Sequence, residues 1–256
     1  MKPQKLSVLL GIRERVETVF KNAIDDLFQK FKNKQTLFRG ERKTYIPFDG
    51  YADEPTKRSF TNVASTVQEQ LDWLSESSKD FLNVVFSIEA TNASGTPRAE
   101  LILDGTPVGV FSSLELLRLK SILEGKLRDL YKELPVRSEQ VIWVLAEEIA
   151  FKERGIQQSP LEKGNSKTTI KESYILQDPH PDKNRQPVVG EKSTQVNIGE
   201  YTAQYFSGEF TIYQRAHMLV KYEKLLQAVI TALEHANNVE VVESQLGQVI
   251  FDYLHK

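Results

Sequence analysis

The chain has 256 residues, 40% hydrophobic and 27% charged, with 33 Lys and Arg against 35 Asp and Glu for a net charge of -2. This is the composition of an ordinary globular protein able to bury a sizeable core, as one large domain or two small ones, and the lack of a basic excess argues against a nucleic-acid partner. Cysteine is absent, which excludes disulfides, thiolate metal sites and cysteine nucleophiles.

The first residues, MKPQKLSVLLGIRERVE, return to charge too soon for a signal-peptide core, and the chain contains no apolar run of about 18 residues. The expectations are therefore a cytoplasmic location and no membrane partner. Leu9, Ile12, Val16, Val19, Phe20, Ala23, Ile24, Leu27, Phe28 and Phe31 recur at steps of three and four, predicting a long helix from Lys5 to Lys32.

From Leu37 to Arg58, Gly40, Pro47, Gly50 and Pro55 forbid a helix of any length, and Thr44, Tyr45, Ile46 and Phe48 suit a short edge strand. Arg39, Arg42, Lys43, Lys57 and Arg58 make this segment the candidate anion-binding loop. Glu41, Asp49, Asp53 and Glu54 balance their charge and favour a solvated loop instead.

A second helix is predicted from Asn62 to Ser77, with Trp73 off its apolar stripe. Val84, Phe86, Ile88 and Ala90 then alternate with Val85, Ser87, Glu89 and Thr91, the period of a strand. Ala99, Leu101 and Leu103 alternate again, and Asp104-Gly105 suits a type I′ turn before Val108 and Val110. Together these predict a three-stranded meander.

Ser112 and Glu115 form a capping box opening a helix that runs to Glu133 and stops at Pro135. Val141 to Leu145 reads as a strand, against the helical residues Ala146, Glu147 and Glu148 that follow. Glu153 to Ser193 is a polar insert, expected to be a long hairpin with mobile ends whose only clear strand is Thr168 to Leu176. A bulge at Gly199-Glu200 explains the change of register between Ile198 and Tyr201.

Thr211 to Ala236, opened by the capping pair Thr211 and Gln214, carries Ile212, Leu219, Leu226 and Leu233 every seventh residue. Such a stripe faces either the chain's own core or a subunit seam. Val242, Leu246, Val249, Ile250, Tyr253 and Leu254 form a single-faced amphipathic tail. The candidate oligomer-contact residues are thus Leu219, Leu226, Leu233, Leu246, Ile250, Tyr253 and Leu254.

Asp178, His180 and Asp182 could in principle meet a metal, but three groups in one proline-rich turn fix no geometry, so no metal is expected. His217, His235 and His255 have no acidic partner at a fixed offset. With no P-loop, G-x-G-x-x-G or G-x-S-x-G, neither a cofactor nor a catalytic residue is assigned.

Ala236-Asn237 after a long helix, Glu240-Val241, and the ending from Gly247 to Leu254 resemble the C-terminus of an uncharacterised bacterial family. The resemblance implies a bacterial cytoplasmic origin and transfers no activity. The whole predicts one α+β domain over residues 1-256, with long amphipathic helices packed on an antiparallel sheet. The leading expectation is a non-enzymatic, self-assembling structural or scaffold protein that forms homo-oligomers. A binding module using the basic loop 39-58 is the alternative, and an enzyme using carboxylates and His180 the third.

Overall fold

The structure, a computed structural model, describes residues 5-51, 55-177, 188-240 and 246-255. Its class is α+β. Contacts divide the chain into two compact units. Met1–Lys32, Leu71–Leu134 and Ile212–Lys256 form a helical unit; Asn33–Gln70 and Pro135–Thr211 form a sheet unit.

The helical unit begins with α1 (Leu6–Asn33), which buries Leu9, Phe20, Ala23, Ile24, Leu27 and Phe31 at the spacing its sequence requires. It packs on α2 (Val67–Asn92): the rings of Phe20 and Phe81 stack 4.3 Å apart, and Leu9 meets Val84 and Ile88. The predicted strand over Val84 to Thr91 is therefore helix. Phe81, Val84, Val85 and Ile88 are all buried, and this i, i+3, i+4, i+7 set fits a helical face as well as alternation fits a strand. Packing against α1 decides in favour of the helix, overriding the β-branched propensity. Trp73 is exposed, with Lys30 Nζ 5.4 Å from its ring centre.

The meander accordingly reduces to a hairpin of β3 (Arg98–Leu103) and β4 (Thr106–Ser112). Its Asp104-Gly105 turn holds both residues at positive φ, 47° and 79°, as a type I′ turn demands. The Ser112–Glu115 capping box is present at the start of α3 (Ser113–Glu124). The long helix expected there ends early, because Gly125 adopts an extended conformation and α4 (Lys126–Lys132) starts afresh.

Over these lies α6 (Ile212–Asn237), where Tyr222, Leu226, Val229, Ala232 and Ala236 join Leu101, Leu116 and Leu123 in one core. The Tyr222 hydroxyl donates to the Leu123 carbonyl. Burial raises the Tyr222 pKa. At the surface, Arg128 grips Glu223 and Lys224 meets Asp104 at 2.7 Å. The last described element is α7 (Leu246–His255).

The sheet unit is built on β8 (Val188–Ser207), which pairs antiparallel with three strands. β1 (Arg39–Pro47) runs along its C-terminal half and carries β2 (Lys57–Thr61) on its other side, so β1 is internal rather than the expected edge strand. β6 (Gln157–Gln158) and β5 (Val144–Leu145) extend the sheet, while β7 (Glu162–Gln177) makes a long ladder with β8. Only two residues of the strand expected over Val141 to Leu145 join the sheet, and α5 (Ile149–Glu153) follows.

The bulge sits one residue before its expected place. Ser166 pairs with Gly199 and Lys167 with Asn197, leaving Ile198 as the extra residue.

Glu153 to Lys167 holds the end of α5, β6 and the start of the β7 ladder. Ile156, wholly buried with Val63, Ala146, Phe151 and Phe206, anchors it; a single apolar residue among polar ones carried no periodic signal.

One polar network ties this unit together. Thr66 caps α2 by accepting from the Glu69 amide at 3.1 Å, and Glu69 Oε2 accepts from the Thr66 amide at 2.8 Å. Arg154 clasps both Glu69 oxygens at 2.7 and 3.0 Å and also donates to the carbonyls of Val63 and Ala64. The Arg154 guanidinium, then the Thr66 and Ser65 donors, hold the Glu69 pKa down at about 2 against the opposing effect of burial.

The folded value lies below the ordinary 4.5. Its contribution to stability is therefore present above about pH 4.5 and lost as the pH falls towards 2. Glu69→Gln should destabilise the protein at pH 7 by about 1 kcal/mol, the usual scale of a lost helix cap in a partly solvated pair. Thermal melts from pH 7 to 2 should show the wild-type advantage fading over that window.

Candidate functional site

Strand alternation separates the five basic candidates. In the β1–β2 ladder Arg42 pairs with Phe60 and Thr44 with Arg58, on one face; Lys43 pairs with Ser59 and Tyr45 with Lys57, on the other. Arg42 bonds Glu148 at 3.1 Å and lies over the rings of Phe60 and Phe206. Lys43 bonds Glu41 at 2.8 Å, which raises its pKa, and Lys57 stands 5.9 Å from the Tyr45 ring centre. Arg42, Lys43 and Arg58 border a surface recess of about 400 Å³ together with Thr44, Ser59 and Phe60.

Arg39 belongs elsewhere. It pairs in register with Ser207 at the end of β8, beside Glu209. The Glu209 side chain is only 3% exposed. Its Oε1 accepts from Arg39 Nε at 2.8 Å and its Oε2 from Ser207 Oγ at 3.1 Å, while Ser207 Oγ accepts from the Glu209 amide. Burial raises the Glu209 pKa, and Arg39 and Ser207 pull against that rise. Arg137, half-buried, donates to the Glu209 carbonyl at 3.4 Å, and burial lowers its own pKa.

A cavity of about 340 Å³ opens over this group, walled by Trp143, Tyr205, Val141 and Phe206, with Ser138 at its rim. The Trp143 indole N–H donates to the Ser138 carbonyl at 2.8 Å, which fixes the ring.

Sequence reasoning found Arg39 but missed Glu209, Ser207 and Trp143. The available signal was one acid between two phenylalanines, Phe206 and Phe210, just past the end of a strand; an acid set among core residues is rarely left unpaired.

The candidate contact residues also divide. Leu226 is buried within the helical unit, and Leu233 packs partly buried against the same core. Leu219 is half-buried. Leu246, Ile250, Tyr253 and Leu254 are exposed on α7. Asp178, His180 and Asp182 lie outside the described residues. Among the described residues, no three His, Asp or Glu side chains are grouped to hold a metal, and no helix is long and apolar enough to cross a membrane.

Gly40 lines the cavity because the sheet crowds it. A Cβ there would fall 2.8 Å from the Thr61 carbonyl oxygen and 3.0 Å from Val63 Cγ2. Gly40→Ala should therefore destabilise the protein by about 1–3 kcal/mol, measured by denaturant unfolding.

No curated protein and no solved structure matches the sequence. A family model does match, over residues 3–256. The chain belongs to that family, the family of unknown function DUF7873.

Proposed function

We propose that this is a non-enzymatic, self-assembling protein of the bacterial cytoplasm, a homo-oligomer whose subunit contact is made by α7. The observation that carries the reading is the exposure of large side chains on a ten-residue helix: Val249 61%, Ile250 47%, Tyr253 84% and Leu254 64%. A helix this short is marginal in water by itself, and a contiguous exposed apolar face marks an interaction surface. Burying each of these side chains is worth roughly 1.5–3 kcal/mol. The same face on a second copy is self-complementary, as a two-fold contact requires.

Light scattering on the full chain and on a chain ending at Glu240 tests this. The full chain should be an oligomer and the shortened one a monomer. A monomeric full chain overturns the reading. An oligomer that survives the truncation with only a lower melting temperature puts the contact elsewhere.

The recess of Arg42, Lys43 and Arg58 favours a second reading, a binding module for an anionic partner. Arg58 makes no ion pair among the described residues, and Arg42 lies on the same face of the β1–β2 ladder. Arg42→Ala with Lys43→Ala should weaken retention on a phosphate-rich matrix, most strongly at low salt where screening is least. Unchanged retention removes this reading.

A further inference from the structure

We propose that the cavity over Glu209 binds a small flat aromatic carboxylate, gripped by Arg39 and stacked on Trp143. This goes beyond the assembly reading and does not depend on it. The cavity, about 340 Å³, is of a size that encloses a small ligand.

Its chemistry has two parts. Arg39 is held at one edge, through Nε, by the buried carboxylate of Glu209. Its side chain is nevertheless 53% exposed, and the outer Nη2 reaches Gln35 Oε1 only at 3.4 Å, close to the limit of a hydrogen bond. A guanidinium anchored in this way keeps N–H donors in a rigid fork, and a planar carboxylate fits that fork. Glu209 is already engaged by Arg39 and Ser207, so it repels an incoming anion less than a bare carboxylate would.

The second part is aromatic. The Trp143 N–H is committed to the Ser138 carbonyl, which orients the indole, and both Trp143 and Tyr205 line the cavity. A flat ring stacks there. Inorganic phosphate would use the fork but leave the aromatic wall empty, and a cation would meet Arg39. A ring that bears a carboxylate satisfies both parts.

The test is fluorescence titration of the full chain carrying Trp73→Phe, which leaves Trp143 as the remaining indole of the two. Benzoate should give a saturable change in emission. Benzamide, the same shape without the charge, should not. Arg39→Lys, which keeps the charge but loses the fork, should weaken benzoate binding at least tenfold while its melting temperature stays near that of the parent.

No saturation with benzoate, equal binding of benzamide, equal competition by inorganic phosphate, or an unchanged benzoate affinity in Arg39→Lys each overturns the proposal. Should Arg39→Lys not fold, Trp143→Leu replaces it, read by saturation-transfer NMR on benzoate itself. Loss of transfer supports the site and retained transfer overturns it.

Discussion

The antiparallel pairing of β1 with β8 carries the sheet unit. Nine residue pairs, from Arg39 with Ser207 to Pro47 with Gly199, join segments that are far apart in sequence. The register also fixes the chemistry. It sets Arg39 beside Ser207 and Glu209, and it sets Gly40 opposite Phe206, where a larger residue would strike the Thr61 backbone. A slip of one residue would exchange the two faces of β1. Arg42 would then leave the face it shares with Phe60, and Arg39 would leave its partner. Both groups of basic residues therefore depend on one ladder.

Buried or half-buried carboxylates supply the rest of the specificity. Glu69 serves at once as a helix cap and as the anchor for Arg154, which in turn holds the carbonyls of Val63 and Ala64. Glu115 repeats the capping role in the helical unit, where its Oε2 accepts from both the amide and the hydroxyl of Ser112. In each case the cost of taking a charge out of water is offset by several donors converging on it. Glu209 has fewer donors and a deeper position, and its pKa moves up rather than down. The contrast follows from counting: Glu69 receives a two-pronged guanidinium together with a backbone amide and a hydroxyl, while Glu209 receives one Arg39 nitrogen and the Ser207 hydroxyl.

Much of this was legible in the sequence, for identifiable reasons. The stripe of α1, the helix of α6 and the Asp104-Gly105 turn are local signals that survived folding, although the buried face of α6 runs through Tyr222, Leu226, Val229, Ala232 and Ala236 and leaves Ile212 exposed. So did the capping box at Ser112. The second half of α2 did not, because Val84, Val85 and Ile88 satisfy two periods at once and only the neighbouring α1 distinguishes them. β1 read as a mixed-charge loop holding only a short edge strand near Thr44 to Phe48, since its partners lie on β2 and on β8, and the β8 partner is remote in sequence. The cavity over Glu209 was illegible for the same reason. Arg39, Trp143 and Glu209 come from three separate stretches, and no spacing within any one of them announces the other two.

The groups that face water on α7 and over Glu209 are of different kinds. On α7 the exposed groups are Val249, Ile250, Tyr253 and Leu254, side chains with little to gain from water and a good deal to gain from leaving it. A surface of that kind is satisfied by area, and a second apolar face of the same shape suffices. Over Glu209 the exposed group is one edge of a guanidinium, already tethered at its other edge and flanked by an indole. A surface of that kind is satisfied by geometry, because an ion pair away from bulk water is favourable only where the donors and acceptors meet in line. Area without direction suits assembly, whereas direction within a small volume suits a ligand. The two proposed roles therefore rest on different chemistry.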